Sequence, residues 1–200
     1  MAREGDVDES KRATLRRFAA LGATSPFVGF AKDSDSDAPD ALLGYIAATP
    51  GAHFSKIRDD LQLGTGETQH HLRRLEREGV VESREDGEYR RYFPTDRFSE
   101  FEQVALGYLR RDTPRGMVVA LLREPEASGT ALADELGVSA PTVSKYASQL
   151  EAAGLLSREE GYRLERPETL LLLLVQHADS FGPEVAELAA DADDIVTYDP

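Results

Sequence analysis

From residue 40 to residue 165, apolar positions fall into short runs broken by regular punctuation. Ala41–Ala48 has the pattern of a first helix and stops at Thr49-Pro50-Gly51. Phe54–Leu61 reads as a second helix, and Gly66–Glu78 as a third that ends at Gly79. Val80–Pro94 alternates as a two-stranded hairpin with its turn at Glu85-Asp86-Gly87. Ser99–Arg111 forms a connecting helix, opened by a capping box of Ser99 and Glu102.

The same order then returns. Pro114–Arg123, Thr130–Leu136 and Pro141–Ala153 read as three helices, Gly154 stops the last, and Leu155–Leu164 makes a shorter hairpin. The two halves match at a constant offset of 75 residues: Ile57 with Leu132, Leu61 with Leu136, Leu63 with Val138, Leu75 with Leu150, Gly79 with Gly154. Val80-Val81 matches Leu155-Leu156 in the same way. A repeat of that length and regularity means two copies of one supersecondary unit.

The flanks differ from the repeat. Residues 1–10 are polar, and residues 11–31 have the makings of a short helix. Asp33–Asp40 is an acidic linker without apolar periodicity. Arg16-Arg17-Phe18, followed by Ala-Ala-Leu-Gly, resembles a twin-arginine export signal. No clear Ala-x-Ala cleavage site follows, and the preferred reading is an amphipathic helix that folds back or packs on a partner chain. After Pro167, Leu170–Val175 is apolar on every side and must be buried. Gly182-Pro183 breaks that helix, Glu184–Ala192 resumes it, and the tail to Pro200 carries Ile195, Val196 and Tyr198.

Residues 139–156, Ser-Ala-Pro-Thr-Val-Ser-Lys-Tyr-Ala-Ser-Gln-Leu-Glu-Ala-Ala-Gly-Leu-Leu, resemble the recognition helix and first wing strand of MarR- and ArsR-type regulators. Residues 65–81 resemble the same element, so the likeness covers roughly residues 40–165. It implies winged helix-turn-helix domains that bind double-stranded DNA, usually as dimers on pseudo-palindromic sites. Geometry sharpens this. At about 100° per residue, Thr68, Leu72 and Leu75 share one face of the third helix, with His70, Arg73, Arg74 and Arg77 roughly opposite. Gln69 suits adenine, arginines suit guanine and phosphate, and Arg90 and Arg91 of the wing suit the backbone or minor groove. The second unit offers Thr142, Ser144, Lys145 and Ser148, with Gln149 and Ala152 on the outward side, a weaker and less basic set.

Charge tempers the picture. The chain carries 37 acids against 23 bases, a net −14, and only four of the bases are lysine. Such composition resembles that of extreme halophiles, where carboxylates keep the surface hydrated, and suggests a haloarchaeal source. Acidity opposes phosphate contact, but its distribution does not: residues 65–94 hold six arginines and seven acids, and residues 139–166 four of each. Residues 167–200 hold eight acids and no base.

Other chemistries are poorly supplied. There is no cysteine, hence no disulfide or thiolate site, and no apolar run long enough for an ordinary membrane span. His70 and His71 are adjacent, so on a helix their rings diverge by about 100° and do not share a metal easily. His53 and His177 are isolated, no carboxylate pair stands out, and no glycine loop suits phosphate. No catalytic residue, metal or cofactor is expected.

The expectation is an α+β chain, mainly α: an N-terminal segment 1–39, winged helix-turn-helix domains at 40–98 and 113–166, a connecting helix 99–112, and a C-terminal helical region 167–200. It is expected to be a cytoplasmic, homodimeric, sequence-specific DNA-binding regulator, with Leu170, Leu171, Leu173 and Leu174 as candidates for the dimer surface or, equally, for a cap on their own domain. The alternative is a winged-helix protein-interaction module in a transcription or chromosome-associated complex.

Overall fold

The computed structural model describes residue 11, residues 13–20 and residues 38–190. Expectations for residues 1–10, 21–37 and 191–200, including most of the acidic linker and the apolar tail, lie outside the described residues. The chain divides into two compact units, with the break between Phe98 and Ser99.

In the first unit, helical residues 13–20 (α1) precede α2 (Ala38–Ala48), β1 (Ala52–His53), α3 (Phe54–Asp60), α4 (Thr65–Arg77), β2 (Val81–Asp86) and β3 (Tyr89–Pro94). The strands form one antiparallel sheet in the order β1-β3-β2. Asp86 pairs with Tyr89, so the wing turns on Gly87 and Glu88, one residue later than the sequence suggests. Gly87, at φ +61°, takes the left-handed backbone that such a tight turn requires. The core gathers Leu42, Ile46, Ile57, Leu61, Leu72 and Leu75 beneath Val80, Val81 and Tyr92.

The second unit holds α5 (Glu100–Leu109), α6 (Asp112–Arg123), α7 (Gly129–Glu135), α8 (Ala140–Ala152), β4 (Leu156–Ser157), β5 (Arg163–Leu164), α9 (Pro167–Gln176), a 3-10 turn at Ala178–Ser180, and α10 (Pro183–Ala190). α5, expected as a connector, packs on α6 and α9 inside this unit. Its capping box is present: Ser99 N–H donates to Glu102 Oε2 at 2.7 Å, and Glu102 N–H donates to Ser99 Oγ at 3.4 Å. α6 runs through the core, and at Gly116 it approaches α7 so closely that an added Cβ would lie 2.5 Å from Leu136 Cδ2.

The 75-residue repeat extends to the helix ends. α4 closes with Gly79 N–H on the Glu76 carbonyl and Val80 N–H on the Leu75 carbonyl. α8 closes with Gly154 on Glu151 and Leu155 on Leu150. Both are the paired closure that uses a left-handed residue to satisfy orphan carbonyls. The chain is thus mainly helical with small antiparallel sheets, and carries two winged helix-turn-helix units in tandem. The wings differ, six-residue strands in the first against two-residue strands in the second, and the first sheet has a third strand, β1.

Of the two expectations for the leucine run, a dimer surface or a cap on its own domain, the fold favours the cap. Leu170, Leu171, Leu173 and Leu174 are buried within the second unit's own core, at 0–6% exposure, where α9 meets α5, α6 and α10. Side chains already enclosed by their own unit are not available to a second copy. The one leucine of the run that faces solvent is Leu172, at 52%.

A candidate nucleic-acid interface

α4 is amphipathic because its apolar residues recur at helical spacing. Thr68, Leu72 and Leu75 are buried, and the Thr68 hydroxyl is satisfied by donating to the Gly64 carbonyl at 2.9 Å. Gln69, His70, Arg73 and Arg77 are exposed on the opposite side. With Gly66, Glu76 and Arg90 they line an open concavity of about 550 Å³ between the helix and the wing. Arg77 Nε donates to the Arg73 carbonyl at 3.3 Å, which keeps it along the helix axis.

Two predicted arginines are placed differently. Arg74 lies to one side of that face, half-buried, and its Nε donates to Glu78 at 2.7 Å. Arg91 is 2% exposed. It lies in the central strand between β1 and β2, donates through Nη1 to the Gly51 carbonyl at 2.9 Å, and ion-pairs with Asp86. Neighbouring strand residues face opposite sides of a sheet, so Arg90 and Arg91 cannot both reach outward. Arg90 is the exposed one. Its Nε donates to Ser83 Oγ at 2.7 Å and its Nη2 reaches Glu76 Oε1 at 3.0 Å. Ser83 Oγ in turn donates to the same Glu76 oxygen at 2.6 Å. The wing is therefore tied to α4 by a three-residue network at the floor of the concavity.

His53 caps α3, its Nδ1 accepting from the Lys56 N–H at 3.3 Å while its ring packs 4.8 Å from that of Tyr89. Partial burial, followed by the Arg91 and Lys56 charges, holds its pKa below the ordinary value, which keeps the acceptor neutral.

In the second unit, Ser144, Lys145 and Ser148 are exposed and Thr142 is half-buried near the start of α8, within hydrogen-bond distance (2.8 Å) of the Ser139 cap hydroxyl. The residue that sequence reasoning missed is Arg158. It donates to Ser148 Oγ at 2.6 Å and lies 3.6 Å from Glu151. The offset of 75 contains the signal: Glu76 corresponds to Glu151, Ser83 to Arg158, and Arg73 to Ser148. The latch between wing and helix recurs, but where the first unit has Arg73 and Arg77 the second has Ser148 and Ala152. Bulk charge follows the same division: fifteen bases and eighteen acids precede Ser99, a net −3, against eight and nineteen from Ser99 on, a net −11.

Among the described residues, no group of three or more metal-capable side chains is gathered, and no helix is long and apolar enough to cross a membrane. Residues 36–106 match the family of an N-terminal HTH domain, and residues 116–163 match the MarR family. An uncharacterized HTH-type transcriptional regulator of Methanocaldococcus jannaschii is 28% identical over 130 residues. That stretch is 64% of this chain but 32% of the relative, so the chain spans about a third of that protein's length. No solved structure matches the chain significantly.

Proposed function

We propose that this chain is a transcriptional regulator that binds double-stranded DNA sequence-specifically, in the cytoplasm and as a homodimer, with α4 of the first unit as its reading element. The observation that carries the proposal is the exposed face of Gln69, His70, Arg73 and Arg77, opposed across a concavity by Arg90. A recognition helix enters the major groove with its outer residues on base edges, and a wing follows the backbone. Arg73 and Gln69 suit guanine and adenine edges, and Arg77 and Arg90 suit phosphates. Arg91 is a positioning residue that holds β3 between its neighbours, and Arg74 braces the helix. The matches to an N-terminal HTH domain and to the MarR family support the reading, as does the likeness to a named transcriptional regulator. No catalytic role or cofactor enters it.

Thr142, Ser144, Lys145 and Ser148 of the second unit add weaker contacts. The loss of two arginines from that helix also favours a second reading for this unit alone, as a docking module for another protein. The acidic, lysine-poor composition supports function at molar salt, where the Debye length is about 3 Å and the chain's own charge no longer repels DNA at range.

Genomic duplex fragments titrated with the full chain in about 1 M KCl test the proposal. It expects a minority of fragments to be retained at least about 1,000-fold more tightly than the bulk. Uniform retention, or none, contradicts sequence-specific binding.

A further inference from the structure

Residues 11–20, Lys-Arg-Ala-Thr-Leu-Arg-Arg-Phe-Ala-Ala, hold four bases and no acid in a chain of net −14. Leu15, Phe18 and Ala19 of α1 pack on the first core, and the Phe18 ring meets that of Tyr45 edge-on with centroids 5.1 Å apart. Tyr45 donates its hydroxyl to Asp60 at 2.6 Å, at the end of α3. Lys11 Nζ lies 3.8 Å from Glu67 Oε2, in the first turn of α4. α1 is thereby docked along the elbow of the helix-turn-helix. With its apolar side turned inward, Arg16 and Arg17 are exposed.

We propose that α1 is a third DNA-contacting element, in which Arg16 and Arg17 engage backbone phosphates beside the groove that α4 enters. The inference rests on the reading of α4 given above. The N-terminal end of a recognition helix is the end that approaches base edges. Lys11 marks that end of α4, and Arg16 and Arg17 lie about 8–9 Å further along α1 at a rise of 1.5 Å per residue. Two arginines on a docked helix meet phosphates without ordering a flexible tail. Phosphate contacts carry no sequence information, so this element adds affinity equally to every duplex.

The test compares the full chain with the double variant Arg16→Ala, Arg17→Ala on a retained duplex and on an unrelated one, across a KCl series. The expected result is a loss of about tenfold on both duplexes. Each lost phosphate contact removes about 0.9 from the slope of log affinity against log salt, so the pair shifts the slope by about 2 relative to wild type. Arg16→Lys, Arg17→Lys should restore most of both, since charge rather than planar geometry is needed. A loss confined to the retained duplex, or an unchanged slope, overturns the role of α1. Arg73→Ala, run in parallel, separates the two claims: if it destroys discrimination while the double variant changes nothing, α1 is refuted and α4 stands. A wild-type chain that binds neither duplex refutes both.

Discussion

Arg90 Nη2 lies 3.0 Å from Glu76 Oε1, joining the wing to the helix that it flanks. The pair faces the same concavity as Arg73 and Arg77, so Glu76 lowers the positive charge there while it fixes the wing. Glu76→Gln keeps the shape and removes the charge. We expect affinity for unrelated duplexes to rise a few-fold, and stability to fall by about 1 kcal/mol, since Arg90 is exposed while the Glu76 side chain is only 20% exposed. Fluorescence anisotropy on a random duplex and urea unfolding read the two effects. A fall in non-specific affinity would mean that the network positions Arg90 rather than restraining it.

Arg90 and Arg91 are adjacent in sequence and should behave oppositely. Arg91→Ala removes the ion pair to Asp86 and the hydrogen bond to the Gly51 carbonyl and vacates a buried site, and should destabilise the first unit by about 3 kcal/mol. Arg90→Ala should cost less than about 1 kcal/mol of stability and act chiefly on DNA binding. Urea unfolding of both variants decides it, and equal stability losses would contradict the division between binding and positioning roles.

The buried leucines give a prediction about assembly. Leu171→Glu with Leu174→Glu places two carboxylates in the second core and should unfold that unit. Leu172→Glu, at the exposed position, should change stability by no more than about 0.5 kcal/mol. Circular dichroism and light scattering distinguish the cases. A folded double variant that has passed from dimer to monomer would return these leucines to an interface.

Stability of the second unit should depend on pH through His177. Burial, then the nearby Arg110 charge, lowers its pKa from 6.5 to about 4. Arg110 is held there by donating to the Ser180 carbonyl and hydroxyl, both at 3.0 Å, with its guanidinium 4.1 Å over the Phe181 ring. Between pH 6.5 and 4 the unfolded chain takes up a proton on His177 that the folded chain refuses. Stability is therefore complete above pH 6.5 and is lost as pH falls, by about 2 kcal/mol at this partly exposed site. His177→Gln should flatten that part of the profile. An unchanged profile would place the acid sensitivity elsewhere.

The sequence carried the tandem architecture because apolar spacing and the glycines at 79 and 154 repeat, and both answer to local backbone rules. The inward face of α4 was equally legible from helical periodicity. What it did not yield were facts set by pairing. That Arg91 is buried depends on β3 being central, which needs β1, two residues long, on its far side. Alternation alone does say that only one of Arg90 and Arg91 can face out. Arg158 does not stand out in the repeat because the repeat shows in its apolar positions and glycines, while the wing latch is polar. The leucine run at 170–174 announces burial in any partner, and only packing in three dimensions names the partner as α5, α6 and α10.

The central claim is that α4 of the first unit reads DNA. The most direct measurement is affinity for one retained duplex in about 1 M KCl, with Arg73→Ala and Lys145→Ala compared against wild type. The account predicts a loss of about 1–3 kcal/mol for Arg73→Ala, together with relaxed discrimination at one base pair, and a smaller loss for Lys145→Ala. Equal losses, or a larger loss at Lys145, would contradict it and make α8 of the second unit the reading element.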